Sequence, residues 1–320
     1  MILVPIVTGL GASAAPHLLG RPRLSPFAGI TMWLSVLAMR ALGLSALALL
    51  LVNYLPSTGL FQNVTRWCLH AIVPFVLGHL DFSGHRLGEM AVLIPTLSLP
   101  VSLAIGVLSV YRSREVIRRW LAATVIGGGP RQSVVVPGAE VIVAAAGLHR
   151  ARVVVSTGAL AALDPAELRA GIEHEQGHIE RRHSYIRVLA HLLFRLGRLA
   201  PGSRAALREL EFYLERDADE FAVARTGEPL ALATTIGKAA TPPASRSGLA
   251  LAHFGGADTP TRLRLLLDRQ AAVPSRPLNY LVWALTATIC LGVIALGFTV
   301  PGLLQAGLAH TAEASLRCAL

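Results

Sequence analysis

The stretch Asp164-Pro165-Ala166-Glu167-Leu168-Arg169-Ala170-Gly171-Ile172-Glu173-His174-Glu175-Gln176-Gly177-His178 decides the reading of this chain. Asp164, Pro165 and Glu167 spell a helix start. They supply an N-cap acceptor, a proline where a missing N–H costs nothing, and a glutamate able to bond back to the cap. Leu168, Ile172 and Ile179 then recur along an apolar side of the predicted helix. His174 and His178 are spaced i,i+4, which sets both imidazoles on one face. Such a pair can grip one Zn²⁺, and Glu175 between them can take a proton from water. Catalytic zinc usually has three protein ligands and one open position, so a further donor is expected elsewhere. The second helical stretch, Glu211-Phe212-Tyr213-Leu214-Glu215-Arg216-Asp217-Ala218-Asp219, offers Glu215 and Asp219, again at i,i+4. One carboxylate there can ligate while the other orients a ligand histidine from behind.

The bulk composition belongs to a membrane protein. Hydrophobic residues make up 53% of 320 and charged residues only 15%, with mean hydropathy +0.56. Four stretches, 1–19, 27–55, 90–111 and 278–300, are apolar enough to cross a hydrocarbon layer of about 30 Å. The second is interrupted by Arg40, a charge that within a span calls for a partner or an escape to the interface. The first lacks a positively charged start and reads as a retained anchor, with a cleaved signal peptide as the rival. Arg21 and Arg23 follow the first span, and Arg112, Arg114, Arg118 and Arg119 follow the third. Loop 56–88 holds only Arg66 and Arg86, and the tail only Arg317. The positive-inside rule then places 112–276 in the cytoplasm and both termini outside.

The expected organisation is a three-span anchor over 1–111 with outer loop 56–88, and a cytoplasmic catalytic domain over 112–276. A fourth span at 277–300 and a short extracytoplasmic tail at 301–320 complete it. The formal charge of +10 comes largely from arginines flanking spans, and no nucleic-acid motif is present, so direct nucleic-acid binding is not expected. Cys68 and Cys318, both expected outside, could pair, while Cys290 lies mid-span as a small packing residue. His70, His79 and His85 with Asp81 read as exposed loop residues rather than a second metal site.

Within 112–276, short β segments at 133–136, 140–146 and 152–156 suggest a hairpin or meander placed before the zinc helix. The zinc helix is expected to bend near 181–185 and continue through 186–199, where leucines alternate with Arg187, Arg195 and Arg198. That stretch could lie on the membrane surface or face a core. A Pro, Ser and Gly-rich loop is expected over 241–258. His183, Tyr185, His191 and Arg262 are candidates for touching substrate or transition state, against a packing or surface role for each.

The chain resembles membrane gluzincin peptidases, the HtpX and CAAX-endopeptidase type and the BlaR/MecR antirepressor type. The resemblance rests on H-E-x-x-H, followed about forty residues later by E-x-x-x-D at Glu215 and Asp219. It extends upstream to the strand and turn Val153-Val154-Val155-Ser156-Thr157-Gly158-Ala159-Leu160-Ala161-Ala162-Leu163, and downstream to Thr261-Arg262-Leu263. The resemblance implies His174, His178 and Glu215 as ligands of one Zn²⁺, Glu175 as general base and Asp219 as the carboxylate behind a ligand. It also implies that edge-strand pairing holds an extended substrate. The chain departs from the pattern at His183, where many relatives carry aspartate.

Three N-terminal spans, a cytoplasmic zinc domain and a last span are most similar to the BlaR/MecR arrangement, and imply a bacterial plasma-membrane protein. The tail 301–320 carries no S-x-x-K motif, so a sensor-less form is expected. The fold class is therefore mostly α, with four transmembrane helices and an α+β zinc-peptidase domain inserted between the third and fourth. The implied function is cleavage of a cytoplasmic protein, a BlaI/MecI-like transcriptional repressor being the implied substrate. The bilayer is a partner, and a homodimer or a separate sensor protein could be others. HtpX-like quality control of membrane proteins is the enzymatic alternative, and a zinc-containing membrane scaffold the non-enzymatic one.

Overall fold

A computed structural model describes residues 11, 13–18, 24–54, 84–240, 258–268 and 274–318. Most of the first predicted span and of the outer loop, including Cys68 and with it the candidate pairing to Cys318, and loop residues 241–257 lie outside the described residues. The elements are helices α1 (Pro26–Tyr54) and α2 (Gly84–Thr124), then strands β1 (Gly127–Gly128), β2 (Val134–Val136), β3 (Val143–Ala146) and β4 (Arg152–Ser156). Helices α3 (Thr157–Ala162), α4 (Pro165–Glu180), α5 (His183–Gly197), α6 (Ser203–Thr226), α7 (Pro229–Ala240), α8 (Thr259–Leu267) and α9 (Arg276–Cys318) follow.

Helix α4 begins where its sequence says it must. The Glu167 N–H donates to the Asp164 carboxylate at 2.8 Å, and the Asp164 N–H donates back to Glu167 at 2.9 Å, closing the capping box. Lys238 of α7 reaches the same glutamate at 2.6 Å and so ties α7 to the start of α4. At its far end α4 stops at Glu180, and Arg182 takes a left-handed conformation (φ 55°) that redirects the chain into α5. The predicted bend is thus a break between two helices.

The sheet is not a meander. Its order is β1-β2-β4-β3, with β4 paired antiparallel to β3 and parallel to β2. Strand β4 carries Val153, Val154 and Val155, all buried, so it needs neighbours on both edges and cover on both faces. A hairpin supplies one neighbour: Gly147, at φ 112°, begins the short turn from β3 into β4. The other neighbour is β2, which returns from across the sheet. Strand β3 is left at the edge, alongside α4.

Two described helical segments are long and apolar enough to cross a membrane, Pro26–Leu47 and Arg276–Ala295. The first is mostly buried, because α1 is wedged between α9 on one side and helices α5 and α6 on the other. Met32, Trp33, Val36 and Leu37 join Leu210, Tyr213 and Leu214 of α6 in one apolar cluster. The approach is close: a Cβ on Gly29 would lie 2.4 Å from the Tyr213 ring. Just before α1, the Leu24 carbonyl accepts a 2.6 Å hydrogen bond from Arg216. Arg40 is buried, donates to the Ser13 carbonyl at 3.1 Å and lies 2.9 Å from His17 Nε2, so it finds partners inside the protein. Cys290 of α9 packs 3.4 Å from the Ser35 hydroxyl.

The third predicted span, 90–111, lies within α2, which runs on unbroken to Thr124. Similarly, α9 passes through residue 300 and reaches Cys318. Helix α5 uses Ile186, Leu193 and Phe194 to pack on the α1 cluster, so the core-facing reading describes that side of it.

Candidate metal centre

Helices α4 and α6 cross with their polar faces together. His174 and His178 from α4 meet Glu215 from α6, and one donor atom from each lies within 4.8 Å of the others. All three are buried. His174 Nε2 stands 3.5 Å from one Glu215 oxygen, and His178 Nε2 stands 3.4 Å from the other. Those gaps exceed hydrogen bonds, yet they match the spacing of about 3.3 Å between ligands held at about 2.0–2.1 Å around a tetrahedral Zn²⁺. The donor set of two imidazoles and one carboxylate therefore fits zinc with a position to spare.

Each donor is held from behind. His174 Nδ1 lies 3.0 Å from Asp219, one turn beyond Glu215 on α6. Asp219 in turn receives two hydrogen bonds from Arg262 of α8, at 2.8 and 2.7 Å. The third nitrogen of that guanidinium faces Glu215 at 2.9 Å, so Arg262 clamps both acidic residues while fully buried. His178 Nδ1 is 2.7 Å from His183 Nδ1, and His183 Nε2 is 3.0 Å from Asp217. With Nε2 of His178 free for a metal, its Nδ1–H donates to His183, whose Nε2–H donates to Asp217. Arg181 closes the far side of Asp217 at 3.2 Å. Arg187 of α5 donates to Glu215.

Glu175 lies on the same helix but faces the edge strand, where its carboxylate accepts a 2.6 Å hydrogen bond from the Ala145 N–H of β3. Burial pushes its pKa up to about 7; His174 opposes the rise and Glu215 adds to it. Burial acts on His174 in the other direction, but contacts with Asp219 and Glu215 outweigh it and bring that pKa to about 9. His178 is held well below the ordinary histidine value by burial. Glu215 and Asp219 stay well ionised despite burial, held low by the histidines and by Arg262. A proton-accepting carboxylate thus sits beside a buried anionic and imidazole donor set, next to an open strand edge.

Of the residues singled out in the sequence, His174, His178, Glu215, Asp219 and Glu175 are brought together at this centre. His183 and Arg262 also reach it, as neighbours of the donors rather than as open cleft residues, each about 1% exposed. Tyr185 is exposed and its hydroxyl lies 3.3 Å from His149. His191 is exposed at 3.5 Å from Glu211. Sequence reasoning missed Arg187 and Asp217. Asp217 stood in the quoted stretch, but its partners come from 34 and 36 residues away, and no local spacing announces them.

Residues 111–226, just over a third of the chain, match the model of Peptidase family M48. The matched stretch begins within α2 and ends with α6, and so contains the sheet and the donor cluster. The match supports a zinc metallopeptidase of a mostly membrane-associated kind. No curated protein and no solved structure matches the chain.

Proposed function

We propose that this protein is a membrane-bound zinc endopeptidase that hydrolyses peptide bonds of a protein reached from the cytoplasmic face. The observation that carries this reading is the buried His174–His178–Glu215 set with Glu175 beside it, poised near neutral pH. Bound by the three donors, Zn²⁺ supplies a Lewis acid that polarises the scissile carbonyl and acidifies a water. The rest is done by the protein's own groups. Glu175 removes a proton from the attacking water as its oxygen bonds to the carbonyl carbon. It then delivers that proton to the amide nitrogen as the C–N bond breaks. Its raised pKa suits both halves, since the group must be ionised to accept the proton and acidic enough to return it.

The surrounding groups hold geometry and charge. Asp219 and His183 fix the tautomers of the two donor imidazoles, and Arg262 keeps two neighbouring carboxylates ionised in a buried site. The edge of β3 offers main-chain groups to an extended substrate beside Glu175. The substrate class we favour is a cytoplasmic transcriptional repressor, on the strength of the antirepressor-like arrangement of the sequence.

The experiment compares new protein N-termini in cells producing wild type or Glu175→Gln at equal levels. A few Glu175-dependent termini that map to one repressor support regulatory proteolysis. Many scattered termini indicate quality control instead, and no difference, with zinc bound by both forms, overturns the peptidase reading in favour of a scaffold.

A further inference from the structure

Beside the metal centre lies a groove of about 520 Å³ between α2, α5 and the turn after β3. Its walls are chiefly apolar, with Val107, Val110, Ile117, Leu148, Val188 and Leu192 exposed to it. Four further lining residues are basic: Arg114, Arg187, His191 and Arg195. Among the described residues, no aspartate or glutamate lines it. Arg187 is occupied by Glu215 and His191 faces Glu211. Arg114 and Arg195 are exposed and make no ion pair among the described residues. The lining includes Ala145, whose N–H holds Glu175, and Arg187, which holds Glu215. An occupant of the groove therefore touches the two residues that hold Glu175 and Glu215.

An apolar trough with two guanidinium groups that make no ion pair among the described residues suits a segment whose apolar side chains alternate with carboxylates. We propose that this groove is the specificity pocket of the peptidase, taking a stretch of substrate in which Asp or Glu stands among apolar residues within a few positions of the scissile bond. The proposal rests on the peptidase reading above for its catalytic consequence. It rests on the groove's own walls for its ligand. A peptide is favoured over an anionic lipid because the groove opens onto the two groups that touch Glu175 and Glu215, where a headgroup would block the cleft.

The test uses the full-length, zinc-loaded protein in detergent micelles. Quenched fluorogenic peptides carry an apolar core with Glu, Gln or Lys placed in turn at each position flanking the central bond. Glu should exceed Gln by about ten-fold in kcat/KM at one or more positions on one side of the bond only. The charge-reversed double variant Arg114→Glu/Arg195→Glu should turn that preference toward Lys, with bound zinc retained. Equal rates for Glu and Gln, or a Glu preference that survives charge reversal, would overturn the pocket.

If no peptide is cut at all, the peptidase reading fails, and binding decides the groove separately. A photo-reactive residue replacing Leu192 in the Glu175→Gln protein should cross-link the Glu peptide, and should lose it when Arg114 and Arg195 are reversed. Cross-linking indifferent to those arginines overturns the proposal. So does transfer of the cross-link from peptide to lipid when phosphatidylglycerol vesicles are added.

Discussion

Helix α6 has two faces that are stabilised in opposite ways. Toward α4 and α8 it presents Glu215 and Asp219, buried carboxylates that survive only because His174, His178 and Arg262 surround them. Toward α1 it presents Leu210, Tyr213 and Leu214, which pack by shape alone against a helix apolar enough for a membrane. The polar face is a set of directed pairs in which each member has named partners. The apolar face is a fitted surface, in which Gly29 matters for having nothing to contribute but room. Losing one member of the polar set leaves a buried charge uncompensated, whereas crowding the apolar seam shifts a helix. The metal centre is thus built on a helix whose back rests on α1, and position at the centre depends on both faces.

The sharpest break falls on chemistry alone. Glu175→Gln should lower the hydrolytic rate by about 10²–10⁴-fold with bound zinc unchanged, measured as turnover beside metal content. Next is the polar face itself. Arg262→Met leaves Asp219 and Glu215 buried together without their cation and should cost about 3–5 kcal/mol in denaturant unfolding. A loss below about 1 kcal/mol would mean that the histidines alone carry those charges. The apolar face should yield less: Gly29→Ala drives a methyl into the Tyr213 ring and should cost about 1–3 kcal/mol, with zinc affinity nearly unaltered. Should zinc affinity fall in parallel, the two faces of α6 are coupled.

His183→Gln removes the link between His178 and Asp217 and should weaken zinc binding by about 10–100-fold in a competition titration. The smallest effect concerns protons. With its pKa raised to about 9, His174 is charged in the metal-free protein at neutral pH, and it must lose that proton to ligate. His178, held below its ordinary value, is already neutral there and releases none. Zinc binding near pH 7 should therefore release close to one proton from His174, and affinity should fall by about ten-fold per unit as pH drops below 9. Calorimetry in buffers of different ionisation enthalpy measures the count, and release of two protons would contradict the assignment.

Legibility in the sequence followed the range of the interaction. The capping box, the paired histidines and the i,i+4 carboxylates of α6 are all local, and helical periodicity alone sets their faces. Arg262 could be singled out as a basic residue but not as the clamp on Asp219, 43 positions away. His183 could be singled out as a histidine near the site, but not as the link between His178 and Asp217, 34 positions away. Of the hairpin or meander expected, the β3–β4 hairpin is present, and the place of β2 is what the sequence left open. Valines at 134–136 and 153–155 declare strands, but only their shared burial decides that β2 lies beside β4 rather than β3.

What the sequence by itself determined is the helix that carries the site, its starting cap, the pair of histidines with their glutamate, and the carboxylates one turn apart. Each of these is a statement about neighbours along one helix, fixed by a rise and a twist that do not depend on the rest of the chain. Only the tertiary structure decided that α1 backs α6, that Arg262 and Arg187 face Glu215, and that α2 and α5 enclose a basic apolar groove. Those follow from which surfaces meet when helices pack, and complementarity of surfaces is a property of pairs of elements rather than of any one segment.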